Sequence, residues 1–154
     1  MKKKFLLLFI LIFSLTNCIN TQTEEQKKIE KTITLFFEGF HKRDSLKIKS
    51  VISENFTLQS AYKLNDTTST LQSTNLNDFL YKVVNRNLNN KWEEKLLSFN
   101  INIDGTLANA WVKYEFWLND EFSHCGVNSF HLYLSDYGWK IIQLVDSRRK
   151  NNCN

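Results

Sequence analysis

Four side chains in the C-terminal half have the types and spacing to share one chemical surface: Tyr114, His124, Asn128 and Asp146. Alternate residues of a strand lie on one face, so Phe122, His124, Gly126, Asn128, Phe130 and Leu132 line up along a single side. A histidine and an asparagine set among aromatic rings suit a ligand pocket, where apolar walls hold the body and a few polar groups fix its orientation. Buried inside a fold, both would need hydrogen-bond partners, and Tyr114 on the preceding strand is placed to supply one. Asp146 follows Ile142 and Leu144 at period two, with Arg148 next in line. That spacing reads in two ways. It is either a surface ion pair worth ~0–1 kcal/mol or a carboxylate at a pocket mouth, its pKa raised by burial, able to accept a proton from a bound molecule. The candidate catalytic set is therefore Asp146, His124 and Tyr114. The candidate ligand contacts are Tyr114, Phe116, His124, Asn128, Phe130, Asp146 and Arg148.

Other polar residues carry less. His41, with Lys42 and Arg43, falls where a helix ends and complements the negative end of its dipole. His131 has the opposite strand parity to His124. No two histidines share a face with a carboxylate at metal-ligand spacing, so neither a metal nor any other cofactor is expected. There is no glycine-rich phosphate loop and no Gly-x-Ser-x-Gly elbow. Trp111, Trp117 and Trp139 read as sheet packing.

The elements that must position these residues follow from periodicity. Ile29, Ile33, Phe36, Phe37 and Phe40 recur at helical spacing behind Thr23 as N-cap and the acidic first turn Glu24-Glu25. Asp44 caps a short second helix with Leu46, Ile48, Val51 and Ile52 as its buried residues. From Phe56 the period becomes two, and Phe56, Leu58, Ser60 and Tyr62 point one way. Residues 65–70 are turn formers, and 71–73 a short strand. A third helix starts at the cap Asn75, with Phe79, Leu80, Val83 and Val84 as its apolar side. Four strands follow: Leu97, Phe99, Ile101 and Ile103 alternating up to the Asp104-Gly105 turn, then residues 107–118 with Ala108 to Phe116 inward, 122–134, and 139–146. Helices first and antiparallel strands after predict an α+β domain, its helices packed in the concave face of a curved sheet with an open mouth.

The N-terminus is a different kind of segment. Lys2, Lys3 and Lys4 precede eleven nearly unbroken apolar residues, Phe5 to Leu15, short of the ~20 a spanning helix needs. This has the form of a secretory signal. Leu15-Thr16-Asn17-Cys18 resembles the lipobox of bacterial lipoproteins, and the resemblance implies cleavage before Cys18, its acylation, and a protein held on the outer face of a bacterial membrane. The resulting organisation is a leader over 1–17, a lipidated tether over 18–23, a domain over 24–150 and a tail over 151–154. The leader holds three of the 20 basic residues and none of the 16 acidic ones, so the rest is +1 rather than the +4 of the whole chain. With one short basic cluster, Arg148-Arg149-Lys150, nucleic-acid binding is not supported. Cys125 falls in a strand and Cys153 in an asparagine-rich tail, which favours two separate thiols over a disulfide.

Three stretches carry a further resemblance. Residues 36–44 (Phe-Phe-Glu-Gly-Phe-His-Lys-Arg-Asp), 124–130 (His-Cys-Gly-Val-Asn-Ser-Phe) and 138–142 (Gly-Trp-Lys-Ile-Ile) resemble the helix junction, central strand and closing strand of nuclear transport factor 2-like proteins, including the SnoaL-like and ketosteroid-isomerase-like groups. The resemblance spans 24–150 and implies a cone-shaped fold. It does not name an activity, because this fold hosts isomerases, dehydratases, hydrolases and non-catalytic binders. Three readings stay open: a pocket for a small, largely apolar ligand; a proton-transfer enzyme with Asp146 or His124 as base; and an interaction module that forms homodimers through Trp111, Trp117 and Tyr133.

Overall fold

The structure, a computed structural model, describes residues 23–153. The leader, Cys18 and most of the tether lie outside the described residues. Helix α1 covers residues 23–42, so Thr23 is already helical rather than its cap. Then come α2 (Ser45–Val51), β1 (Ile52–Lys63), β2 (Ser69–Thr74), α3 (Leu76–Asn85), β3 (Trp92–Asp104), β4 (Leu107–Leu118), β5 (Glu121–Ser135) and β6 (Gly138–Arg148). The six strands form one sheet in the order β2-β1-β6-β5-β4-β3. All pairs are antiparallel except β1 with β6, which is parallel. None of the described helices is long and apolar enough to cross a membrane.

The caps form as the side chains dictate. Asp44 accepts from Lys47 N at 2.9 Å and Asn75 from Asn77 N at 2.8 Å, each satisfying a helix-end donor. Leu46, expected in the core, is 77% exposed, and Ile52 is buried as the first residue of β1 rather than in the helix. The stripe Ile29, Ile33, Phe36, Phe37 and Phe40 is buried against the sheet, where Phe36 and Phe37 meet Phe130 at 6.4 and 6.2 Å between ring centres. Each such ring contributes roughly 2–3 kcal/mol by leaving water, so packing rather than intrinsic propensity holds α1 on the sheet. Polar ties fix its register: Gln26 Nε2 donates to Ile101 O, and Trp139 Nε1 to Glu25 Oε2. At its C-terminus Arg86 donates to the carbonyls of Phe40 (2.8 Å) and His41 (2.5 Å), groups the helix itself leaves unpaired.

Besides a register shift between Ile52 and Thr57 where β1 meets β6, three bulges in β3, β5 and β6 change the parity read from the sequence. The register breaks between Leu96 and Ser98 in β3, between Phe116 and Trp117 against β5, and between His131 and Leu132 against β6. Leu97 is thereby 51% exposed. Phe122 pairs with Trp117, not in line with His124, and is exposed on the outer face. On β6 it is Ile141, not Ile142, that is buried in line with Leu144 and Asp146.

The expectation for the cysteines is overturned. Cys125 and Cys153 form a disulfide with their Cα atoms 5.6 Å apart, inside the range a bridge requires. The tail folds back because β6 continues past Arg148: Arg149 and Cys125 exchange two backbone hydrogen bonds, both 2.9 Å.

Candidate functional site

Register places the polar residues in rows across the sheet. Ser60 of β1 pairs with Asp146 of β6, which pairs with Asn128 of β5. In a second row, Glu94 of β3 pairs with Phe116 of β4, which pairs with His124 of β5. Helices α1 and α3 do not fill the space in front of these rows. A cavity of about 430 Å³ remains, within the range of small-molecule sites. Phe36, Phe37 and Phe40 from α1, Phe79 from α3, and Trp92 and Phe116 form its apolar walls.

Of the sequence-predicted contacts, Tyr114, Phe116, His124, Asn128, Asp146 and Arg148 all line this cavity. Phe130 does not. It is fully buried under the α1 phenylalanines, one residue pair deeper than Asn128. Tyr114 is not the partner proposed for His124 or Asn128. Its hydroxyl donates to Ser147 O at 3.0 Å, and its ring meets His124 edge-on. His131 is exposed beside Gln143, and Trp111 and Tyr133 are exposed on the outer face. Trp117 is half-buried under Lys95, whose Nζ lies 3.8 Å from its ring centre.

The polar wall has two parts. In the first, Asp146 Oδ1 accepts from Ser60 Oγ at 2.5 Å, while Arg148 reaches Oδ2 with Nε at 2.6 Å and Oδ1 with Nη2 at 3.3 Å. Arg148 Nη2 also donates to Ser60 Oγ at 2.8 Å. Asp146 is buried, but 48% of the Arg148 side chain is exposed, so the pair sits at the rim rather than in a sealed interior. Burial opposes the guanidinium charge, yet the Asp146 bond and charge outweigh it and hold the Arg148 pKa above its usual value. At the rim the pair is worth ~1 kcal/mol and serves mainly to fix geometry.

The second part was missed from the sequence. Glu94 Oε1 accepts from Asn128 Nδ2 at 2.6 Å. Its backbone N–H donates to His41 Nε2 at 2.8 Å, which fixes that nitrogen as an unprotonated acceptor. Burial is also the first cause holding the His41 pKa below its ordinary value. His41 thus ties the end of α1 to β3 rather than only facing the helix dipole. Part of the Glu94 side chain is open to the cavity it lines, and protein surrounds the rest. Burial pushes its pKa up to about 8 against the lowering by the Asn128 hydrogen bond, with a lesser upward push from Asp146. Burial first, then Arg148, lowers that of His124, leaving a neutral imidazole. Burial, then Asp146 and Glu94, raises that of Tyr114, which stays a phenol.

Strand parity explains the omission. Counting back from Ile101 and Phe99 by twos leads to Glu93. The bulge at Leu97 shifts the count by one and turns Glu94 inward instead. The usable signal was the alternation Trp92, Glu94, Leu96, a carboxyl between two large apolar residues.

Glu94 makes stability fall with pH. Its native pKa lies above that of an unfolded glutamate, so between the ordinary glutamate value of 4.5 and about 8 the unfolded chain ionises while the native one holds its proton. The native state is disfavoured progressively across that window and no further above it. Glu94→Gln removes this dependence. Allowing for the part of the side chain open to the cavity, wild type is expected to lose about 2 kcal/mol more than the variant from pH 5 to pH 8. Urea unfolding of both proteins at the two pH values measures the difference, and parallel pH profiles would contradict the placement of Glu94.

No protein-family profile and no curated protein matches this sequence. Solved structures do match. A nuclear transport factor 2-like protein of unknown function from Shewanella baltica superposes with a TM-score of 0.62 at 16% identity, over 84% of this chain and 97% of that one. The β subunit of a protein assigned as an aromatic-ring-hydroxylating dioxygenase from Novosphingobium aromaticivorans gives 0.67 at 12%, over 84% and 92%. A Streptomyces avermitilis protein assigned as a dehydratase of the nuclear transport factor 2-like family gives 0.60 at 12%, over 80% and 94%. The chain therefore has the nuclear transport factor 2-like fold, as the resemblance of residues 24–150 implied. Among the described residues no cluster of His, Cys, Asp and Glu is placed to hold a metal ion.

Proposed function

We propose that this chain is a membrane-tethered binding domain for a small, largely apolar molecule, carried outside the cytoplasm on an acylated Cys18. The observation that carries the binding reading is the cavity of about 430 Å³, aromatic on most sides and polar on one wall. Aromatic walls supply affinity by burying apolar area, and a localised polar wall orients what enters. The lipobox-like Leu15-Thr16-Asn17-Cys18 supports the tether, and the disulfide fits an oxidising compartment outside the cytoplasm. Pairing with a second copy would use the outer face that carries Trp111 and Tyr133, leaving the cavity open.

Proton transfer is the second reading, and the structure changes its actors. Asp146 is engaged by Ser60 and Arg148 on both oxygens, so Glu94 becomes the carboxyl best placed to face a bound molecule.

The neutral dye N-phenyl-1-naphthylamine tests the binding reading. The dye is expected to bind one to one in the micromolar range with a rise in fluorescence. Leu58→Trp, which puts an indole into the cavity, should abolish the signal while the far-ultraviolet dichroism stays that of the wild type. An intact protein that shows no saturable dye binding would sink the reading.

A further inference from the structure

The geometry points to a ligand that is a monocation, an amine on an apolar body, with Glu94 as the residue that receives its ammonium group. This rests on the proposed binding cavity and names the class of molecule it takes.

The argument begins with charge. Two carboxyl groups, one guanidinium and, from an exposed position on α3, the Lys82 ammonium group line the same cavity. Arg148 is committed to Asp146 through two contacts, and Ser60 completes that cluster. Glu94 has no ion-pair partner among the described residues; its side-chain partner is the neutral amide of Asn128, on Oε1. Oε2 carries no protein hydrogen bond among the described residues. It is also not among the enclosed polar atoms left without a partner, so it keeps access to the cavity. A carboxyl group buried without a counter-ion keeps its proton, and a ligand cation at this position would take the place of that proton.

The surroundings fit the same occupant. Trp92, Phe40 and Phe116 stand around the Glu94 end of the cavity, with Phe40–Trp92 ring centres 5.6 Å apart and Trp92–Phe116 6.2 Å. Aromatic faces attract ammonium groups. Arg86 already uses this property, its guanidinium lying 5.0 Å from the Trp92 ring centre. An anion would find the cavity's guanidinium already matched and its other cation, Lys82, exposed to solvent, where an ion pair is worth little, and a neutral molecule would leave the Glu94 carboxyl held only by Asn128.

Without ligand, Glu94 at neutral pH holds its proton. Binding of an ammonium group replaces that proton, so the complex forms with proton release to solvent, and affinity rises with pH until Glu94 is ionised. The other groups around Glu94 do not reverse this sign. Asp146 and Arg148 on β6 neutralise each other, Tyr114 on β4 stays a phenol, and His124 on β5 and His41 on α1 are neutral imidazoles. Lys82 of α3 lines the cavity from an exposed position.

Displacement of bound N-phenyl-1-naphthylamine by three matched probes gives the test: 1-naphthylmethylamine, 1-naphthalenemethanol and 1-naphthoate. The amine is expected to displace the dye at least tenfold better than either of the others at pH 8. Its affinity should rise about tenfold or more from pH 6 to pH 8, while the alcohol stays flat. Glu94→Gln should bring the amine down to the alcohol. If the alcohol or the naphthoate displaces best, or if Glu94→Gln leaves the amine preference intact, the cation assignment is overturned while the cavity reading stands. If the dye itself fails to bind, both fall together.

Discussion

Gly126→Ala is expected to lower the unfolding free energy by about 4 kcal/mol, near the top of the range for single substitutions. A Cβ built at this position would lie 1.7 Å from the carbonyl oxygen of Ser147 and 2.9 Å from a ring carbon of Tyr114. The first contact is with backbone near the C-terminal end of β6, which no rotamer change can relieve. Ser147 sits between Asp146 and Arg148, and its carbonyl accepts the Tyr114 hydroxyl while its Oγ accepts from Val127 N. Moving that carbonyl therefore disturbs both members of the rim ion pair and the tyrosine beneath them. Gly105→Ala is the contrasting case. Gly105 has φ +57 and open space around the missing Cβ, so the cost is the left-handed backbone alone, about 1 kcal/mol. Urea denaturation of the two variants decides the matter. A Gly126→Ala protein within 1 kcal/mol of wild type would show that β5 and β6 do not approach as described. In the expected case, dye binding should fall together with stability, because the site and the strand pairing share these atoms.

That coupling also shows what could be read from the sequence. Period-two alternation in β4 placed Ala108, Ala110, Val112, Tyr114 and Phe116 inward, and all but Phe116 are fully buried while Phe116 lines the cavity. The caps Asp44 and Asn75 were equally plain, since a side-chain oxygen before an apolar run has a local reason to be there. Glu94, Phe122 and Ile142 were misread for one shared cause. Each lies at or beyond a bulge, and a bulge is set by pairing with a neighbouring strand, which a single segment read alone does not contain. Phe130 failed differently. Parity put it correctly on the inner face, but depth within the cone depends on how far α1 covers the sheet. The disulfide is a third kind of miss. The residues that join Cys153 to Cys125 are the backbone groups of Arg149, and backbone pairing leaves no mark in side-chain pattern. Helical and strand periods thus specify the layers, whereas the interior polar wall depends on registers between elements distant in sequence.

Reduction of Cys125–Cys153 is expected to remove about 3.5 kcal/mol of stability, close to the Gly126 effect but by a different route. The bridge closes a loop with a sequence separation of 28, and in the chain-entropy account a loop of that size restricts the unfolded ensemble by about this amount. The native state has little to lose in compensation, because the two ends are already held by paired backbone bonds between Cys125 and Arg149. Those bonds lie one residue from Arg148, so the consequence should reach the cavity rim. With the tail released, Arg149 can fray from Cys125, and the guanidinium of Arg148, half exposed already, is held less firmly on Asp146. The expected result is a lower urea midpoint after treatment with a phosphine reductant, with cleavage verified by thiol titration. The Cys125→Ala/Cys153→Ala variant should match the reduced protein and ignore the reductant. A second readout separates fraying from simple loss of stability. In the absence of denaturant, where reduced protein is still folded, amide hydrogen exchange should quicken at residues 148–153 and leave β3 and β4 unchanged. Equal midpoints before and after verified reduction would mean that the tail contributes nothing to the fold, and that the rim is organised by Ser60, Asp146 and Arg148 alone.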